Sequence, residues 1–226
     1  MARVMVIGES SMDWERTREL RALSQSYAAY LGEPVEFIWA RPELAALARD
    51  AVEPMAGDPP VETLQPFRVQ TEGMPAAALV QDEEGRPDWG ATWESFCELA
   101  FFGGPPHRGD EAMVRAVAEI PRVVPAGEFD AIAEIRRGIY LTTGLFSEPS
   151  EQPGWLAVSC RSTKHAAWMC ACIILENVEA RVDEEGRLLV PASPSFTLKD
   201  QVKSVITVVA KVHHYWEMHA VVYGVE

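Results

Sequence analysis

The segment SCRSTKHAAWMCACIILEN (159–177) concentrates residue types that bind anions or take part in catalysis. Cys160 ends a predicted strand, and a helix is predicted over 162–177. Two hydroxyls and two cations stand where this helix begins: Arg161, Ser162, Thr163 and Lys164. Because unpaired backbone N–H groups and the positive end of the helix dipole lie at a helix N-terminus, this turn is suited to a phosphate or a carboxylate. The other interpretation is that Ser162 is only an N-cap and that both cations are solvated.

Two side chains beside this turn have nucleophilic or acid–base chemistry. The positive field at the helix N-terminus would lower the pKa of Cys160, which predicts a thiolate nucleophile. His165 follows Lys164 in the first turn and is a candidate for proton transfer. The turn therefore supplies the substrate-binding candidates, and Cys160 and His165 are the catalytic candidates beside it.

The same helix raises the question of a metal site. With about 100° per residue, four side chains fall on one stripe. They are His165, Met169, Cys172 and Glu176. Cys170 falls nearly opposite, so the C-x-C pair cannot bind one ion from a helix. A mixed site could still form if His213 or His214 reached across from the last helix, but a fully buried helix explains the same residues. The sequence therefore assigns no metal ligand and no cofactor.

The loop GGPPHRGDE (103–111) is a second candidate site. Its prolines stiffen the chain and its glycines allow close backbone approach to a ligand. His107 could act as a general base, Arg108 could bind a carboxylate or phosphate, and Asp110 could orient either one. The alternative is that Asp110 caps the next helix while His107 and Arg108 are ordinary surface residues.

Two shorter segments have weaker signatures. Glu9 and Ser10 follow the first predicted strand, where open α/β sheets bind ligands, yet neither GxGxxG nor a Walker lysine is present. Glu9 therefore also fits a helix-dipole partner. In KVHHYWEMH (211–219), His213 and Glu217 are i,i+4 neighbours, but the H-E-x-x-H pattern is absent. Such an aromatic helix end is typical of a core or a subunit contact, so a homo-oligomer is among the expectations.

Hydrophobic periodicity and turn residues predict the elements that would position these groups. Strands are predicted at 3–8, 35–40, 67–71, 77–81, 138–146 and 154–160, with a hairpin of 178–183 and 187–192. Helices are predicted at 10–31, 42–52, 91–102, 111–120, 128–137, 162–177 and 198–219, with a strand alternative for 204–212. This order predicts an α/β fold, or else a mixed α+β fold, with a mixed sheet flanked by helices and a closing β-α-β-β-α unit. We expect 1–226 to be a single domain with an irregular Pro/Gly-rich insertion at 53–90.

Composition limits the classes of function. The 226 residues include 34 acidic and 20 basic side chains, for a formal net charge of −14. That balance argues against non-specific nucleic-acid binding and against an anionic membrane surface. Glu9 interrupts the first apolar stretch too early for a signal peptide, and no apolar run approaches the roughly 18 residues of a membrane span. We therefore expect a cytoplasmic protein whose four cysteines are not in a disulfide framework.

Three functional hypotheses follow from these residues. The first is an enzyme acting on a small anionic metabolite, with the anion at the N-terminus of the 162–177 helix and with His and Cys chemistry beside it. Lyase, isomerase, transferase and hydrolase reactions all stay open. The second is a non-catalytic ligand-binding module or an obligate subunit of a larger assembly. The third is a Cys/His metal-dependent enzyme.

Overall fold

The computed structural model describes residues 3–7, 35–39, 42–56, 61–63, 78–101, 113–119, 124–125 and 127–223. The strands are β1 (Arg3–Ile7), β2 (Val35–Trp39), β3 (Val61–Thr63), β4 (Ser147–Pro149), β5 (Trp155–Val158), β6 (Arg181–Val182) and β7 (Leu188–Pro191). The helices are α1 (Pro42–Ala56), α2 (Trp89–Phe101), α3 (Ala131–Thr143), α4 (Thr163–Leu175) and α5 (Lys203–Tyr223), and a π-helical turn, Leu198–Val202, precedes α5. The protein thus mixes helices and strands, consistent with the predicted α/β class. That it forms a single domain stays a prediction.

The strands form two separate sheets within the described residues. The first is parallel, with the order β2-β1-β3, and pairs Arg3 with Val35 through Ile7 with Trp39. The second is antiparallel, with the order β4-β5-β7-β6. The sequence predicts one mixed sheet, and the described strands do not form it. The reason is that the β6–β7 hairpin pairs with β5 through β7, and the other edge of β5 pairs with β4. Both edges of β5 and of β7 are thus already hydrogen-bonded within the antiparallel sheet.

Helix α4 is the centre of the core. Every residue from His165 to Leu175 is buried, because the helix packs against α1 and α5 and against strands β2, β6 and β7. A helix that is apolar on all sides is stable only in such surroundings. The prediction of a fully buried helix for this segment is therefore confirmed.

Two predicted elements are wrong. The predicted strand over 138–146 is instead the second half of α3, which ends where Gly144 takes a φ of 73° and donates its N–H to Tyr140 O. The predicted helix over 111–120 is non-helical at 113–119. There Val114 forms a parallel bridge with Val178, next to the end of α4, and its backbone bonds Asn177 O. In both cases a tertiary neighbour outweighs the local preference of the chain.

The remaining differences are smaller. In the described part of the predicted strand at 77–81, the one bridge pairs Gln81 with Pro87, across the DEEG turn at 82–85. Helix α2 begins at Trp89 rather than at 91, and Asp88 Oδ1 accepts the Ala91 N–H there at 2.9 Å. The strand alternative for 204–212 is wrong, because these residues lie in α5. The predicted helix at 10–31 and the predicted strand at 67–71 lie outside the described residues, and the described helices include 53–56 and 89–90 of the predicted insertion.

Candidate functional site

The turn from β5 into α4 holds its histidine against the helix N-terminus. Ser162 has an extended backbone and accepts the His165 N–H at 3.2 Å, so it is the N-cap. The Arg161 N–H donates to His165 Nδ1 at 3.3 Å. Because Nδ1 accepts this bond, the neutral ring carries its proton on Nε2. The first turn of α4 therefore fixes the tautomer of a catalytic candidate.

The side chain of His165 packs against other aromatic rings in the core. Its side chain is fully buried, and its ring stacks on Trp216 with centroids 4.9 Å apart. Its Nε2 has no hydrogen-bond partner among the described residues. Burial, helped by the neighbouring His213 and Arg161, lowers the pKa of His165 to about 3. At neutral pH the ring is thus an uncharged, buried N–H donor.

A second imidazole lies beside the first. The ring centroids of His165 and His213 are 5.6 Å apart, and His213 comes from α5. Burial lowers the pKa of His213 to about 4, although the carboxylate of Glu217 opposes this shift. His213 Nε2 lies 4.0 Å from Glu217 Oε1, one helical turn further on. Its Nδ1 is buried with no partner in the described part of the chain.

Glu217 links this pair to the surface. Its Oε2 accepts a hydrogen bond from Arg161 Nη2 at 2.8 Å, while its Oε1 is buried without a hydrogen-bond partner in the described ranges. The Arg161 side chain is 64% exposed, whereas that of Glu217 is 27% exposed. Arg161, Glu217, His213 and His165 therefore form a row that runs from solvent into the core. We call this row the imidazole cluster.

The other residues at the head of α4 face outward. Thr163 and Lys164 are exposed. Thr163 packs against the β6–β7 turn at Gly186, where an added Cβ would collide with its Oγ1. Lys164 and Arg161 are thus two cations at the open side of the turn. The structure brings Arg161, Ser162 and His165 into direct contact and leaves Lys164 accessible to a ligand.

The thiol of Cys160 does not belong to the cluster. Its Sγ lies 3.9 Å from Met169 Sδ, on the core side of the turn. Burial raises the pKa of Cys160 to about 12, and a hydrogen bond with the Leu188 backbone only partly offsets this. Burial therefore works against the predicted thiolate at Cys160, because desolvation outweighs the field of the helix N-terminus.

The mixed metal site that the sequence left open as an alternative does not form among the described residues. Glu176 accepts a hydrogen bond from Lys211 Nζ at 2.6 Å in a buried ion pair. No group of three or more His, Cys, Asp or Glu side chains in the described ranges is placed to hold a metal ion. The four cysteines form no disulfide. Cys170 and Cys172 are fully buried core residues, as the simpler interpretation of α4 predicts.

His214 points away from the cluster, although it adjoins His213 in sequence. Its Nε2 lies 2.9 Å from Thr142 O at the end of α3, and its ring stacks on Trp93 of α2. His214 therefore joins three helices, and it touches the imidazole cluster only through His213, whose ring centroid lies 5.5 Å away and whose pKa it helps to lower.

Four predicted site residues lie outside the described residues: His107, Arg108, Glu9 and Ser10. His213 and Glu217 are not among the site residues predicted from the sequence, where His213 enters only as a possible member of a mixed metal site. Their i,i+4 spacing was the available indication, but only the packing of α5 against α4 brings them to His165.

Comparison of this chain with known proteins finds no relative. The chain matches no family model, no curated protein and no solved structure. No described helix is both long enough and apolar enough to cross a membrane. What the protein does must therefore be inferred from its own residues.

Proposed function

We propose that the protein is an enzyme that acts on a small anionic metabolite bearing a phosphate or a carboxylate. The anion binds at the N-terminus of α4, and the imidazole cluster moves a proton on the bound molecule. One observation supports this most directly: His165 is fully buried, and its protonated Nε2 has no acceptor among the described residues. Leaving a buried donor unpaired costs about 1–3 kcal/mol. A ligand that accepts this hydrogen bond would recover that energy.

The cations of the turn supply the attraction for the anion. Arg161 already holds one carboxylate, that of Glu217, at 2.8 Å. A ligand carboxylate or phosphate can displace Glu217 or bind beside it, with Lys164 and the helix dipole adding to the attraction. Displacement would free Glu217 to accept a proton or a hydrogen bond from His213. In this proposal one β-α-β-β-α unit holds the anion-binding turn. The unit consists of β5, α4, β6, β7 and α5.

Anion binding would also prepare the imidazoles for proton transfer. Both pKa values are low because burial disfavours the charged rings. A bound anion stabilises an imidazolium, so it would raise both pKa values towards the range in which histidine exchanges protons at neutral pH. The two imidazole rings would then carry an additional proton only while the substrate is bound.

Cys160 takes no part in the proposed reaction. Its thiol stays neutral because burial raises its pKa to about 12. This favours a proton-transfer reaction, such as a lyase or isomerase step, over a covalent cysteine intermediate. The proposal includes the cytoplasmic location expected from the sequence, and it needs no metal or cofactor bound by the described residues.

A thermal-shift screen with matched arginine variants tests this proposal. The panel contains phosphorylated and carboxylated metabolites, nucleotides and divalent metals. A ligand at about one hundred times its Kd adds roughly 2.7 kcal/mol to the free energy of unfolding. We expect an anionic metabolite to stabilise the natural protein and the control Arg181→Gln, but not Arg161→Gln. Arg181 is a fair control because it is also exposed and paired with one glutamate, Glu179.

Each other outcome favours a different hypothesis. A shift with a transition metal alone would favour the Cys/His metal-dependent enzyme. A shift that survives Arg161→Gln would place the anion elsewhere and overturn the proposed site. If no compound shifts the melting temperature, the non-catalytic hypothesis becomes the better one.

A non-catalytic module or subunit is the second candidate, and exposed apolar side chains favour it. Phe146 is 70% exposed, Leu141 is 53% exposed and Tyr140 is 49% exposed, all around the end of α3. Large apolar side chains grouped in solvent often mark a binding surface. The aromatic end of α5 is the other candidate for a subunit contact, but its Trp216 is buried, in agreement with the alternative interpretation as core. A homo-oligomer would use the α3 end in this proposal.

A further inference from the structure

A cavity lies on the outer face of α3, away from the imidazole cluster. Its volume is about 320 Å³, which reaches the range of small-molecule sites, about 300–1,000 Å³. Six residues line it: Ala133, Arg136, Arg137, Tyr140, Phe146 and Ser147. The opposite face of the helix meets α5 at Gly138 and Ile206. The cavity is therefore formed by α3, by Phe146 in the connection that follows it, and by Ser147 at the start of β4.

One wall of this cavity is apolar. The rings of Tyr140 and Phe146 lie with centroids 5.1 Å apart and planes tilted by 41°. Both rings are largely exposed, so neither is held there by burial in the core. An aromatic or aliphatic group placed against them would remove apolar surface from water.

The opposite wall is polar and has an unused cation. Arg136 is exposed, and its Nε donates to Ser147 O at 3.0 Å, which orients the guanidinium along β4. In the described ranges Arg136 has no carboxylate partner, whereas Arg137 is bound to Glu134 and to Pro87 O. The Oγ of Ser147 is buried and unpartnered within the same ranges. A planar guanidinium beside a hydroxyl donor matches a carboxylate.

We propose that this cavity binds a small carboxylic acid that has an aromatic or branched apolar group. Arg136 and Ser147 Oγ bind the carboxylate, and Tyr140 and Phe146 receive the apolar group. The protein has a formal net charge of −14, so an arginine without a carboxylate partner stands out as a local site for an acid. A phosphate fits less well, because Arg136 is the one lining cation that the described carboxylates leave unpaired.

Titration with 3-phenylpropionate, followed by two-dimensional amide NMR, tests the proposal. We expect saturable chemical-shift changes confined to residues 133–148. Arg136→Gln should bind the acid at least about tenfold more weakly than the natural protein does. Phe146→Ala should weaken binding as well, and this variant will fold because Phe146 is 70% exposed. Arg181→Gln, which removes the same charge away from the cavity, should bind as the natural protein does.

Two further ligands separate the two walls. Phenylpropanamide lacks the charge and acetate lacks the ring, so each should bind at least about tenfold more weakly than the acid. Equal shifts with inorganic phosphate, equal binding by Arg136→Gln, or binding unaffected by Phe146→Ala would overturn the proposal. Arg161→Gln should leave this binding unchanged, which keeps the outcome independent of the enzyme proposed above.

Discussion

At the scale of single residues, the buried histidines are the most unusual feature of the protein. His165 and His213 lie against each other in the core, and each has a ring nitrogen without a hydrogen-bond partner in the described part of the chain. A core built only for stability would pair these atoms or replace them with carbon, since unpaired buried polar groups cost free energy. Their position beside an arginine–glutamate pair that reaches solvent is a reason to assign them a role in chemistry.

The same two residues predict how stability depends on pH. Their pKa values are about 3 and about 4 in the folded protein, against 6.5 for an ordinary histidine. Between these values the unfolded chain binds more protons than the folded one, so stability falls as pH falls through 6.5 towards 4. Above this window both rings are neutral in both states, and they add no pH dependence.

Urea unfolding at pH 7.5, 6.5, 5.5 and 5.0 measures this effect. In His165→Asn the amide oxygen can still accept the Arg161 N–H, but the titrating group is gone. We expect the loss of stability between pH 6.5 and 5.0 to be clearly smaller in His165→Asn than in the natural protein. Equal losses in both proteins would mean that His165 titrates normally and that burial does not lower its pKa.

At the scale of elements, α3 depends on one close contact. Gly138 faces α5, and an added Cβ would overlap Ile206 Cδ1 and lie 2.8 Å from its Cγ1. Alanine favours helices over glycine by up to about 1 kcal/mol, yet overpacking a core contact costs about 1–3 kcal/mol. Steric overlap should therefore decide the sign at this position.

A pair of glycine variants tests that prediction. We expect Gly138→Ala to lower the free energy of unfolding by about 1–3 kcal/mol, measured by urea denaturation. Gly90→Ala, at an exposed position in the first turn of α2, meets only Asp88 Oδ1 at 3.4 Å and should be neutral or slightly stabilising. Shortening the obstructing side chain with Ile206→Val should recover part of the loss. A stabilising Gly138→Ala would show that α3 and α5 are not packed as closely as described.

At the scale of the whole molecule, charge is the property with the clearest consequence. The formal net charge of −14 repels the phosphate backbone of nucleic acids at long range. We expect no change in fluorescence anisotropy when a labelled random DNA duplex is mixed with the protein at 50 mM salt. Binding that weakens steeply with added salt would contradict this prediction and would indicate a basic surface on the residues outside the described ranges.

The sequence by itself determined the elements whose pattern is strong and local. Strands β1, β2 and β5, helices α1, α2 and α4 and the β6–β7 hairpin appear where periodicity and turn residues predict them. So does the N-cap at Ser162, since capping is a short-range interaction that needs only neighbouring residues. The burial of α4 also follows from its composition, because a helix without a polar face has no stable place at a surface.

Only the tertiary structure decided how these elements meet, because each such contact joins residues far apart in the chain. It packs the helical segment 138–143 against α5, with Gly138 facing Ile206, and it pairs the extended segment 113–119 with Val178 through Val114. It placed Cys160 on the core side of its turn, where desolvation controls the thiol. It also brought His213 and Glu217 to His165 and Arg161, across about fifty positions of sequence, which is a distance that local patterns do not encode.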